Sequence, residues 1–172
     1  MSRSIAFFVV LALSNRCHAR IERYFKGHNF FYNKAEQLVA KVPLWEKVES
    51  DSPEDSFVYT QTTQYKGKID RTIYTIHKDS KTNHWLISTT ENNIDTLKDG
   101  PVSVVTTKTT PIQINFKFQR DDQPFSIESS RNETSSKYDQ TIIIRDSKGK
   151  LLSKHVSKAK AVSAAEYQKD LP

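Results

Sequence analysis

Cysteine, glycine and long apolar runs are what this chain of 172 residues has least of. A lone cysteine, Cys17, excludes an intrachain disulfide framework and any zinc or redox site built on paired cysteines. The four glycines, Gly27, Gly67, Gly100 and Gly149, stand far apart, so no glycine-rich loop can cradle a phosphate. Neither G-x-S-x-G nor H-E-x-x-H occurs, which removes the common hydrolase and metalloprotease signatures. A large charge of one sign is missing too. Against 26 Lys and Arg stand 20 Asp and Glu, an excess of six that does not single out nucleic acid as a partner. What remains is a globular composition, 36% apolar and 27% charged, at a length that suits one domain with a sizeable core.

The longest apolar run is nine residues, 5–13, and it sits where export signals sit. Arg3 precedes it, and a polar stretch ending in the small residue Ala19 follows, the order of a secretory signal peptide over residues 1–19. Nine residues rise about 14 Å as a helix, well short of a ~30 Å hydrocarbon core, so no membrane-spanning segment is expected after cleavage. The expectation is an exported protein, in a bacterial periplasm or secreted. A chain starting at Arg20 has no cysteine, and its excess charge drops from six to four. Such a domain depends on its core alone, without a covalent staple.

Residues 20–31 mix cations with aromatics: Arg20, Arg23 and Lys26 among Tyr24, Phe25, Phe30 and Phe31. Asn33 and Glu36 then stand in capping-box relation, and Ala35, Leu38, Val39 and Val42 follow the i, i+3, i+4, i+7 rule of one helical face. Pro43 stops the pattern, so a short N-terminal helix is predicted over residues 33–42. Residues 57–66, 69–77, 84–90, 102–109, 112–119, 125–130, 138–145 and 150–157 read as strands. The clearest is 112–119, where Ile112, Ile114, Phe116 and Phe118 alternate with Gln113, Asn115, Lys117 and Gln119. Asp99-Gly100-Pro101 reads as a turn, and residues 158–172 as a helical tail, with the helix around 159–167. Short polar connections make the strands antiparallel. The predicted fold is α+β and β-dominated: a curved antiparallel meander sheet or half-barrel of about eight strands, the N-terminal helix packed on it, in one domain over residues 20–157. This layout is similar to that of bacterial periplasmic lipoprotein carriers and, more loosely, of lipocalins. The likeness is one of architecture, carried by no shared residues.

Few constellations carry chemistry. Pairing His77 with His84 across a hairpin would put Ile76 opposite Trp85 and Tyr74 opposite Ile87. Two histidines alone do not make a metal site, so neither metal nor cofactor is expected. The carboxylate pairs Glu54/Asp55 and Asp121/Asp122 lie beside Pro53 and Pro124, where turn chemistry explains them, and no catalytic residue is assigned. The cations Arg145, Lys148, Lys150, Lys154, Lys158 and Lys160 suit phosphate groups of anionic lipid, or a solvated hairpin that discourages aggregation. Strand aromatics say more. Tyr59, Tyr74, Trp85, Phe116 and Phe118 are the candidate ligand-binding residues, on a face that lines a core or a cavity. The leading expectation is an exported, non-enzymatic protein holding a hydrophobic or amphiphilic ligand, such as a lipid, on the concave face of the sheet. The alternative is a surface protein with a closed core that binds a protein partner at a sheet edge. A third is a hydrolase using the loop carboxylates.

Overall fold

The period-two alternation of residues 112–119 recurs along most of the computed structural model, which describes residues 20–52, 54–106, 112–119 and 125–172. Its strands are β1 (Ile21–Tyr32), β2 (Leu38–Ser50), β3 (Ser56–Tyr65), β4 (Lys68–Lys78), β5 (Trp85–Glu91), β6 (Ile94–Thr106), β7 (Ile112–Gln119), β8 (Phe125–Glu133), β9 (Lys137–Asp146) and β10 (Leu151–Val162), followed by helix α1 (Ala164–Lys169). Each strand pairs antiparallel with the next, and β1 pairs with β10, so the ten strands close into an up-and-down barrel. The half-barrel of about eight strands is thereby corrected: eight of the strands match the expected ones, and β1 and β2 complete the ring. With both sides of every strand paired, the barrel presents no free sheet edge among the described residues.

The helix expected over 33–42 is not there. Asn33 does cap backbone amides, but of a hairpin turn. Its Oδ1 accepts from the N–H groups of Ala35 (2.9 Å) and Gln37 (3.1 Å), and Glu36 takes a left-handed φ of 58° to reverse the chain into β2. The turn expected at Asp99-Gly100-Pro101 is an irregularity inside β6 instead. Gly100 pairs with Ile87 and Pro101 with Leu86, while Asp99, at φ 50°, donates its N–H to the Ser88 hydroxyl. The reversal lies earlier, at Asn92-Asn93, both at positive φ as a tight hairpin requires. Across β4–β5 the register differs by two residues from the expected one: Ile76 faces Ile87, Tyr74 faces Thr89, and His77 faces Leu86 rather than His84. An even shift preserves which side chains point inward. The tail helix starts later than expected, because β10 continues to Val162; Ser163 then caps α1 through the Glu166 N–H.

The odd-numbered strands end, and the even-numbered strands begin, at one rim of the barrel; the start of β1, the end of β10 and the other strand ends lie at the second rim. The apolar core fills the half nearer the second rim. Phe25, Val48, Phe57, Ile76, Ile87 and Tyr138 are each no more than 2% exposed there. On the outside, α1 packs against β1: the rings of Tyr24 and Tyr167 lie 5.0 Å apart, and Lys26 Nζ reaches Asp170 Oδ2 at 2.6 Å. Residues 1–19, the expected signal peptide, lie outside the described residues, as do Asp121 and Asp122.

Candidate functional site

Alternation brings charge into the middle of the barrel. β2 turns Glu46 inward opposite Gln61 of β3, and β8 turns in Arg131 and Glu133, two residues apart and therefore on one face. The Arg131 guanidinium grips Glu46 with two nitrogens, Nη1 to Oε2 at 3.0 Å and Nη2 to Oε1. Its Nε and Nη2 also reach Glu133 Oε2, at 3.0 and 2.7 Å. Arg23 of β1 completes the set, with Nη1 2.6 Å from Glu133 Oε1. Two carboxylates thus face two guanidinium groups, and the buried charge sums to zero. Glu46 and Glu133 are wholly buried and Arg131 is 3% exposed. Burial opposes the charge on Arg131, but Glu46 and Glu133 outweigh it and hold its pKa well above the ordinary value. The guanidinium plane also lies between two aromatic rings, 4.6 Å from the centre of Tyr59 and 3.8 Å from that of Tyr138. Burial pushes both tyrosine hydroxyls up, so they stay protonated. Gln61 ties the cluster to the opposite wall, donating to Glu46 Oε2 (2.6 Å) and to Gln140 Oε1 (3.1 Å).

This layer is the floor of a cavity of about 470 Å³ in the half of the barrel towards the first rim. The cavity's two sides are chemically opposed. On the β8–β1 side stand Phe125, Ile127, Ile142, Ile144 and Phe31. On the β3–β6 side stand Gln61, Thr63, Thr72, Thr89 and Thr96, with the carboxylates of Asp70 and Glu91 towards the rim. No lysine or arginine lines it among the described residues. Asn29 of β1, which lines this space, is 9% exposed, and its buried Oδ1 has no hydrogen-bond partner among the described residues. His155 of β10 stacks on Phe31 with ring centres 4.6 Å apart, and burial lowers its pKa so that the ring stays neutral. A void of about 20 Å³, room for one water, lies beside Tyr59 and Arg131 and shares Gln61 and Tyr74 with the cavity lining.

The expected ligand residues part company here. Tyr74 lines the cavity. Tyr59 belongs to the floor, against Arg131. Trp85 lies at the closed half, stacked on Phe57 at 6.0 Å with the Lys78 ammonium 5.0 Å above its ring, and does not reach the cavity. Phe116 and Phe118 sit on β7, paired with Ser129 and Ile127 of β8, but their side chains lie outside the described residues. Glu54 and Asp55 occupy the β2–β3 turn at the far rim, where Asp55 pairs with Lys78 at 3.6 Å. Of the expected cations, Arg145, Lys154, Lys158 and Lys160 alternate with inward residues such as Ile144, His155 and Ser157 and so stand on the outer wall, while Lys148 and Lys150 lie in the β9–β10 turn. What sequence reasoning missed is the cluster Arg23, Glu46, Arg131 and Glu133. Its one visible signal is in β8, where Arg131 and Glu133 continue at period two the face begun by Phe125 and Ile127. Compared with known proteins, the chain matches no family model, no curated protein and no solved structure.

Proposed function

We propose that this chain is an exported, non-enzymatic binding protein whose barrel encloses one small amphiphilic molecule. The observation that carries the reading is the cavity of about 470 Å³ with one apolar side and one acceptor-rich side. Small-molecule sites commonly measure ~300–1,000 Å³ and combine apolar walls with a few placed polar groups. An alkyl or aromatic body fits against Ile127, Ile142, Ile144 and Phe31. The polar groups it meets are the carboxylates of Asp70, held by Lys68 and Asn92 at the rim, and of Glu91, and on the β1 side the amide of Asn29, and no lysine or arginine among the described residues lines the cavity to match an anionic headgroup. The favoured ligand is therefore a neutral or cationic amphiphile that donates hydrogen bonds. Export rests on residues 1–19, with Arg3, the apolar run and Ala19 in signal-peptide order.

Titration with N-phenyl-1-naphthylamine, an apolar body with one N–H donor, tests the cavity. The expected result is a saturable fluorescence rise at one probe per chain, weakened at least about tenfold by Ile144→Glu, which buries a charge in the apolar wall. Asn29→Ala weakens it less, by the loss of one acceptor. Trp85→Phe, outside the cavity, leaves it unchanged. Absence of saturable binding, together with no small molecule carried by the purified protein in native mass spectrometry, overturns the reading. In an exporting host, the recovered chain is expected to begin at Arg20 by intact mass.

A further inference from the structure

Exposed large apolar side chains are not scattered over this barrel. Of the seven among the described residues, six, namely Leu38, Val39, Tyr65, Ile69, Ile94 and Leu152, occupy the first two or the last positions of strands at the cavity rim. The seventh, Leu171, follows α1. Ile94 is 68% and Val39 59% exposed, so neither is packed by its own chain. A collar of apolar tips around a cavity mouth is the kind of surface that marks an interaction site.

The charges beside the collar say what it meets. The β9–β10, β1–β2 and β3–β4 turns are consecutive around the ring, because β1 pairs with both β10 and β2, and β2 with β3. They carry Lys148 and Lys150, then Lys34, then Lys66 and Lys68, next to Leu152, Leu38 and Tyr65 respectively. Three carboxylates stand among them, all engaged. Asp146 Oδ1 accepts from the backbone N–H groups of Lys148 and Lys150, both at 2.9 Å, Asp70 pairs with Lys68 at 2.9 Å, and Glu36 lies 3.8 Å from Lys154. Among the described residues, the acidic side of the rim lies at the β5–β6 turn, with Glu91 and Asp95 around Ile94.

We infer that this rim docks on an anionic lipid surface, the apolar tips entering the headgroup boundary and the lysines lying among the phosphates. The inference rests on the cavity reading for its purpose: docking sets the mouth against the layer in which an amphiphile resides, so the ligand passes between bilayer and barrel without crossing water. It does not need that reading for its test.

The experiment is co-sedimentation of the exported protein with vesicles of phosphatidylglycerol mixed in equal part with phosphatidylcholine, and with phosphatidylcholine alone. The protein is expected to partition onto the anionic vesicles and to be released by salt. Each lysine near such a surface contributes about a fivefold factor, so the triple variant Lys34→Glu/Lys148→Glu/Lys150→Glu loses partitioning by more than about a hundredfold. Val39→Asp/Ile94→Asp also loses it. All these positions are exposed, and the fold is checked by circular dichroism and by unchanged binding of N-phenyl-1-naphthylamine in solution. Equal partitioning onto both vesicle types, or none, overturns the inference. So does a dimer in sedimentation equilibrium that Val39→Asp abolishes, since the collar is then a contact between two copies. Loss of vesicle binding with intact probe binding leaves the cavity reading standing, and the opposite result leaves only the lipid surface.

Discussion

At the residue scale, Arg131 does most to define the interior. It contacts both buried carboxylates, Glu46 and Glu133, and the rings of Tyr59 and Tyr138. Arg131→Met keeps most of the volume but leaves Glu46 without a cation and Glu133 with Arg23 alone, and breaking a buried pair from one side costs about 3–5 kcal/mol. Urea unfolding of this variant is expected to show that loss. Adding Glu46→Gln is expected to restore most of it, because Arg23 and Glu133 then balance each other and no uncompensated charge remains. None of this was legible residue by residue, since a lone charged side chain in a strand is most often solvated, and only the i, i+2 placement of Arg131 and Glu133 hints otherwise. His155 gives a pH prediction. Burial lowers its folded pKa below the ordinary 6.5, so the unfolded chain takes up a proton first. The associated stability is complete above pH 6.5 and is lost as the pH falls from there through the folded pKa. His28, lowered by burial and by Lys41, acts in the same sense. Urea midpoints compared between neutral pH and about pH 5 are expected to fall less in His155→Gln than in the parent chain.

At the scale of elements, β3 to β10 were readable because their inward positions are apolar often enough to show the alternation. In β1 the inward residues include Arg23, Gly27 and Asn29 while Tyr24, Phe30 and Tyr32 point outward, so apolarity falls on both faces and no period survives. In β2 the inward run Val42, Leu44, Glu46, Val48 and Ser50 is broken by a glutamate, and Pro43 argues against a strand. The proline is tolerated because the β2–β3 pairing starts only at Leu44, which leaves Pro43 beside a single neighbour, β1. Closure then depends on the β1–β10 seam, where Gly27 pairs with Ala159. A Cβ there would overlap the Lys158 carbonyl oxygen and approach Ala159 Cα to 2.6 Å, both rigid backbone atoms. Gly27→Ala is therefore expected to destabilise the barrel by about 1–3 kcal/mol through overpacking, measured by thermal unfolding. The matching change Gly67→Ala acts differently: nothing lies within 4 Å of its Cβ, and the cost comes only from its φ of +80°. Tilting or parting of the seam would appear as a Gly27→Ala loss larger than that of Gly67→Ala.

For the whole molecule, the contrast that matters runs along every strand rather than between strands. Among the described residues, every strand but β2 and β7 passes from a rim backed by the packed core to a rim where it lines the cavity, because the connectivity is up-and-down throughout. The same ladder hydrogen bonds are thus supported by close-packed side chains at one end and by empty space at the other. Amide hydrogen exchange followed by mass spectrometry is expected to show this as a gradient within strands. In β4, amides around Ile76 should be protected more than those around Asp70, and in β9 those around Tyr138 more than those around Ile144. A ligand that fills the cavity binds only the folded chain, so at a hundred times its Kd it adds about 2.7 kcal/mol to stability. That gain should fall mainly on the weakly protected ends, flattening the gradient, whereas a ligand held on the outer wall would leave it as it was. Protection that instead differs from strand to strand, with β1 and β10 opening first, would place the weak point at the seam and not at the cavity.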